Sequence, residues 1–390
     1  MIHLRGITWA HTRGFAPLAA LGRVWEDFHS DQKVTWETRS LWSFGEEPLE
    51  RFLDDYDLLV FDYPFAGEAL ASGWVRPLNE LLPADVLRAR HEGTVGPLYE
   101  AFTVGAAQTA LPIDVATHVA ASRPDLLDRF GVGLPRNWSE TVALARDTGS
   151  VAMPMRPTGI WGAFLTLCAH AGSEAFKSDL AFDPDIAHAA LKDLQALALH
   201  VQPWCYETYP VALLNRLATT DDIAFVPLTY GYCTYGMRGY APHRLAFHNP
   251  RLGPGCPRGA ILGGAGIGVS VRSKYPHEAA QHAAWLTSPD IQSTVYVSAG
   301  GQPAQRAAWE NPVADDLTGG FFSNTLASAE QAYVRPNAAG FHDFQNFAAG
   351  LLHRIVVGQG DARAALRDLS EAWREGMRRV PQSRAESTEP

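Results

Sequence analysis

Two carboxylates and a run of tyrosines are the residues of this chain best suited to recognition chemistry. Asp62 closes the apolar run Tyr56-Asp57-Leu58-Leu59-Val60-Phe61-Asp62, and Asp114 closes Thr109-Ala110-Leu111-Pro112-Ile113-Asp114. A carboxylate at the end of a buried strand can accept hydrogen bonds from the hydroxyl or amino groups of a solute, or it can cap the helix that follows. Tyr230 and Tyr232 stand in Thr229-Tyr230-Gly231-Tyr232-Cys233-Thr234-Tyr235-Gly236, directly after a second apolar run. With Trp9, Trp42, Tyr63, Phe65 and Trp161 they offer flat faces that suit the C–H surface of a sugar ring or another aromatic ring. Core packing competes for the same side chains, and Trp9, Trp161 and Tyr230 are the strongest candidates for contact. His11 and Arg13 fall just before a helix, whose positive end favours an anion. An arginine fork also fits a carboxylate, so an anionic solute stays open beside a sugar.

Catalysis requires a nucleophile with its base. The chain has no G-x-S-x-G elbow, no H-E-x-x-H helix and no cysteine flanked by a nearby histidine, so no catalytic residue is assigned. Cys233 is the one thiol placed beside the tyrosines, and it keeps open an enzyme on the same scaffold. His11, Tyr230, Tyr232 and Asp62 are a possible hard donor set for ferric iron. The tyrosines are two apart rather than adjacent, which counts against iron, and neither a metal nor a cofactor is expected. Gly263 to Gly268 contains a G-x-G-x-G string, but a phosphate loop must run straight into a helix. Here Val269-Ser270-Val271-Arg272 continues as strand. These glycines, Gly264 among them, read instead as a crossover where a solute can approach the backbone.

The elements that must position these residues alternate. Leu4 to Trp9 reads as a strand, and from Pro17 the positions Leu18, Leu21, Val24, Trp25 and Phe28 recur at helical spacing. Val34 to Leu41 alternates as a second strand, and the run ending at Asp62 has the continuous apolar character of a parallel strand buried on both faces. After Asp114 the pattern turns helical. Asn137-Trp138-Ser139-Glu140 supplies an N-cap with Glu at N3, which also accounts for the N-x-S sequon it contains. Ile223 to Leu228 is another buried strand. A last helix from about Asp361 carries Leu366, Leu369, Trp373 and Met377 on one face, and residues 381–390 form a polar tail expected to be disordered. Strands alternating with helices give an α/β class.

Bulk composition narrows the function. A chain of 390 residues, 46% hydrophobic and 19% charged, can bury a sizeable core and favours two lobes over one. Forty-two acidic against thirty-two basic residues leave a formal charge of -10, and no basic run tracks a phosphate backbone, so nucleic acid is not a partner. Cys168, Cys205, Cys233 and Cys256 are far apart with no C-x-x-C pair, which argues against structural zinc or a redox dithiol. They read as buried small hydrophobes or loop residues, with one or two disulfides possible. No run of about 18 apolar residues could span a bilayer, and Met1 to Trp9 already reads as strand rather than leader. The expected location is periplasmic or extracellular if a leader was removed, and cytoplasmic if the sequence is complete as written.

The order of segments resembles the family 1 extracellular solute-binding proteins, the group of maltodextrin-binding protein, over nearly the whole chain. The likeness is carried by Tyr56 to Asp62 followed by Ala71-Ser72-Gly73-Trp74-Val75-Arg76-Pro77-Leu78-Asn79-Glu80-Leu81-Leu82, and by Ala110 to Val115. Leu126 to Pro135 with Trp138-Ser139-Glu140, Gly263 to Ser270 with Ala279 to Ser288, and Ser298-Ala299-Gly300-Gly301-Gln302-Pro303 continue it in order. Two stretches depart from the family's pattern, Ala120-Ala121-Ser122-Arg123 and Asp221 to Phe225, and they bear on the sugar assignment. The resemblance implies a two-lobed type II periplasmic-binding-protein fold with an interlobe cleft and crossovers near residues 112, 262 and 304. Lobe 1 would comprise 1–112 and 263–304, and lobe 2 113–262 and 305–380. It further implies a monomer that closes by a hinge on a sugar or small carboxylate and delivers it to the permease subunits of an ABC importer. A cytoplasmic enzyme or sensor and a ferric-iron carrier are the alternatives.

Overall fold

The structure is a computed structural model that describes residues 1–177 and 180–379. The apolar runs become strands: β1 (Ile2–Trp9), β2 (Gln32–Arg39) and β3 (Leu58–Asp62), the last with Leu58 to Phe61 fully buried. Then come β4 (Val75–Arg76), a hairpin of β5 (Thr103–Val104) and β6 (Ala107–Gln108), and the long β7 (Leu111–Ser122). β8 (Phe225–Tyr230), β9 (Ala246–His248) and β10 (Leu262–Ser270) follow. Hydrogen bonding orders them β2-β1-β3-β10-β7-β8, with β4 on β10 and β9 on β7. β1 is parallel to both neighbours because helix α1 (Thr12–Phe28) carries the chain back across the sheet, whereas β10 is antiparallel to β3 and β7.

Two details of α1 differ from expectation. It begins at Thr12 rather than at Pro17, with His11 as N-cap accepting the Arg13 N–H at 3.0 Å. Its first turn, Thr12 to Phe15, carries only one large apolar side chain, so hydrophobic periodicity does not register it. Pro17 lies inside the helix and forgoes one backbone bond. Asn137 caps its helix as expected, accepting the Glu140 N–H at 2.9 Å.

β7 corrects a larger expectation. The chain stays extended to Ser122 instead of turning helical after Asp114, because every residue of the strand is buried. A strand covered on both faces loses the period-two pattern that would identify it. β7 also joins the two lobes: Leu111 to Thr117 pairs with β10, and His118 to Ser122 with β8 and β9. A third crossover runs beside it, with Asp114 bridged to Pro303. Two buried glutamines hold that crossover to the strand. Gln292 donates to the Ile113 carbonyl at 2.9 Å and accepts from the Ala304 N–H at 2.6 Å. Gln302 donates to the Val115 carbonyl at 2.5 Å and accepts from the Cys233 N–H at 2.9 Å.

One apolar core gathers around Leu4, Trp25, Val34 and Leu58. A larger one runs through the helices Pro157–His170, Phe341–Val356 and Ala362–Arg379, the last burying Leu366, Leu369 and Trp373. The Met377 side chain and the 381–390 tail lie outside what the structure describes. All four cysteines are free; three are buried and Cys256 is partly exposed.

Candidate functional site

The carboxyl ends of β1, β3 and β8 converge, the usual place for a ligand crevice in an open α/β sheet. Their last residues are Trp9, Asp62 and Tyr230. Together with Asp114 and Ala116 of β7, Gly263, Gly264 and Ala265 of β10, Arg13 and Tyr232, they surround a cavity of about 150 Å³. The short helix α2 (Leu41–Glu46) closes one side with Leu41 and Phe44. Seven residues singled out in the sequence therefore meet here: Trp9, Arg13, Asp62, Asp114, Tyr230, Tyr232 and Gly264. Gly264 sits at φ +129, and a Cβ there would come within 2.4 Å of the Asp114 carbonyl. Close approach of β10 to β7 at that point requires a glycine.

Charge in the cavity is largely self-compensated. Arg13 grips both carboxylate oxygens of Asp114, through Nε to Oδ2 at 2.8 Å and through Nη2 to Oδ1. Its Nη1 donates to the Gly231 carbonyl at 2.7 Å, and the guanidinium lies 4.4 Å from the centre of the Tyr232 ring. Both side chains of the pair are almost fully buried. Burial pushes the Asp114 carboxyl up against the downward pull of Arg13. Asp62 differs: its Oδ1 accepts the Tyr63 N–H at 3.1 Å, and no side chain among the described residues donates to it. Burial raises its carboxyl above the ordinary range, with the Arg335 guanidinium opposing the rise.

The tyrosines supply hydroxyls and a wall. The Tyr230 ring packs against Gly263, where a Cβ would come within 2.5 Å of it, and meets the edge of His118 at 4.9 Å between centroids. Its hydroxyl makes no hydrogen bond among the described residues. Burial raises the phenol of Tyr230 and pushes that of Tyr232 up to about 12, so both are neutral donors at ordinary pH. The site thus offers one uncommitted carboxylate and two phenolic hydroxyls between the rings of Trp9, Phe44 and Tyr230. That is a set for gripping hydroxyl groups and the apolar face of a small ring.

Five expected residues lie elsewhere. His11 is a helix cap whose Nε2 meets the Tyr240 hydroxyl at 3.3 Å, so both ring nitrogens are engaged and the iron donor set loses its histidine. Trp42 is 58% exposed, because α2 turns it away from Leu41 and Phe44. Tyr63 is fully buried, its hydroxyl donating to the Leu262 carbonyl at 3.3 Å and accepting from Arg335 at 3.1 Å. Trp161 is a core residue: it packs on Phe176 and donates to Gln345 at 3.1 Å. Arg13 lines the cavity but is committed to Asp114, which removes the free cation proposed for an anionic solute. Phe65 also packs outside the cavity, against His342.

Sequence reading missed Leu41, Phe44 and Arg335. Leu41 and Phe44 are three apart on one helical face, a signal hidden because Leu41 reads as the end of a strand. Arg335 has no local signal; its link to Tyr63 spans 272 positions.

Comparison with known proteins gives a consistent picture. Residues 53–317 match the family described as bacterial extracellular solute-binding protein. The chain is 25% identical over 290 residues to a probable ABC transporter-binding protein of Deinococcus radiodurans, covering 70% of this chain and 67% of that one. Among solved structures it is similar to maltose-bound MalE3 of T. maritima, with a TM-score of 0.82 at 18% identity, covering 96% of this chain and 100% of that one. A Thermotoga lettingae ABC transporter solute-binding protein bound with α-D-tagatose gives a TM-score of 0.80 at 16% identity, covering 96% and 99%. One from Agrobacterium radiobacter K84 in complex with ribitol gives 0.76 at 16% identity, covering 96% and 98%. The shared architecture is two lobes around a cleft.

Proposed function

The chain belongs to the bacterial extracellular solute-binding proteins, and from that premise we propose that it captures a neutral sugar or polyol between its lobes for an ABC importer. One observation carries the choice of a neutral solute: Arg13, the one cation lining the cavity among the described residues, is held by both Asp114 oxygens and the Gly231 carbonyl, while Asp62 keeps acceptor capacity toward the cavity. A solute carboxylate would meet no uncommitted cation and would face Asp62. Hydroxyl donors complement Asp62, and the aromatic walls suit a ring's C–H face. Maltose, tagatose and ribitol in the structural relatives support the same chemistry.

On this reading the lobes are 1–112 with 263–304 and 113–262 with 305–380, hinged at the crossovers near 112, 262 and 304. The protein works as a monomer outside the cytoplasmic membrane, with permease subunits as its partners, and releases its solute unchanged. The state of Cys233 supports binding without turnover. Burial pushes its thiol up to about 12, and it lies 3.4 Å from the Gly301 carbonyl as a donor rather than beside a base. No helix among the described residues is long and apolar enough to cross a membrane.

A thermal-shift screen of sugars, polyols and organic acids tests the proposal, since a solute selective for the folded form raises the melting temperature. A sugar or polyol hit recovered chemically unchanged is the expected result. A hit confined to carboxylic acids, or one converted on incubation, overturns it.

A further inference from the structure

The cavity is small, and it opens to solvent on one side. A space of about 150 Å³ holds a single six-membered ring, whereas sites for larger ligands run to about 300–1,000 Å³. Two features of α2 bear on its size. Phe44 lines the cavity from α2 beside Leu41 and packs on Trp9 with ring centroids 5.0 Å apart. The far end of α2 is then tied across to the helix Phe341–Val356. Glu46 Oε2 lies 3.3 Å from His342 Nε2 and accepts from Asn346 Nδ2 at 3.3 Å. The His342 ring also stacks on Phe65, centroids 4.7 Å apart at 29°. One residue earlier in the chain from that helix start, the Gly340 N–H donates to Glu68 Oε2 at 3.3 Å.

We infer that Phe44 and the Glu46–His342–Asn346 tie set the length of the solute, admitting one monosaccharide ring or one open-chain polyol and refusing disaccharides and longer chains. The inference rests on the solute-binding reading above and narrows it. Phe44 acts by occupying the space of a second sugar residue. The tie acts by holding α2 against the opposite lobe, so that a longer chain could not lie across the cavity edge without breaking it. Exclusion by built-in clash is a common route to specificity.

Calorimetric titration of the full chain with matched pairs tests this: ribitol, mannitol, tagatose, glucose and galactose against maltose, lactose and maltotriose. The wild type should bind at least one single-unit compound, and bind di- and trisaccharides at least about a hundredfold more weakly. Phe44→Ala should narrow that gap at least about tenfold by admitting a disaccharide. His342→Ala, at a partly exposed position, provides a second variant in case the first does not fold, and should narrow the gap in the same direction. A wild type that binds a disaccharide as well as its monomer overturns the inference while leaving the solute-binding reading intact. So does a folded pair of variants whose preference stays that of the wild type. Failure of every carbohydrate and polyol to bind overturns the reading beneath it.

Discussion

Asp114 binds Arg13 through both carboxylate oxygens across 101 positions of sequence, and the two side chains are 1% and 4% exposed. The pair sits where α1, β7 and the tyrosine loop meet, and the third donor of Arg13 reaches the Gly231 carbonyl. Arg13 is therefore a structural tie at the cavity floor.

Removing Arg13 should cost stability before it costs recognition. Arg13→Ala leaves Asp114 buried without its partner, a change worth about 3–5 kcal/mol. Replacing both members by well-packed apolar residues should cost much less than the two single changes added together, because no charge is then left uncompensated. Urea denaturation of the single and double variants measures this. A single variant with the wild-type midpoint would return Arg13 to the role of a solute contact.

Asp62→Asn should act in the opposite way. Losing a charged acceptor should weaken solute binding by about 1.5–3 kcal/mol, roughly tenfold to more than a hundredfold. Burial holds the Asp62 carboxyl above its ordinary value in the folded state, so the folded protein binds its proton more tightly than the unfolded chain does. Its contribution to stability is therefore greatest at low pH and is lost as pH rises from the ordinary carboxylate range through the raised folded value. Solute affinity moves the other way, falling as acidification protonates the acceptor. Titrations across pH 4 to 7 should show this slope in the wild type and not in Asp62→Asn. A wild-type affinity independent of pH over that range would remove Asp62 from the contact set.

Two tryptophans should separate packing from recognition. Trp161→Ala opens a cavity in the larger core and should destabilise by about 3–5 kcal/mol. Trp42→Ala changes an exposed position and should move stability by no more than about 0.5 kcal/mol. Trp42→Ala should also leave the affinity for a single-unit solute unchanged. Melting temperatures and binding titrations of the two variants check both statements, and a large loss of affinity in Trp42→Ala would place that ring against the solute.

Sequence alone determined β1, β3 and β8, because each is a short apolar run with a distinct boundary, and most of β2, from its alternation. The glycine-rich β10 read instead as a crossover leading into a strand at Val269. Sequence also determined that the residues ending β1, β3 and β8 face a common crevice, since strand direction and alternation fix where Trp9, Asp62 and Tyr230 emerge. What it left undecided were long-range pairings and rotations about single elements. Asp62 and Tyr63 are neighbours in sequence, yet one meets the cavity and the other turns inward to Arg335. Trp42 and Phe44 are two apart, yet the turn of α2 sends one to solvent and the other over the site. Arg13 reads locally as a free cation at a helix start, and only folding brings Asp114 within reach of its fork. Propensity and periodicity act over a few residues, whereas the burial of a charge is compensated by whichever partner the tertiary fold delivers, here more than a hundred residues away.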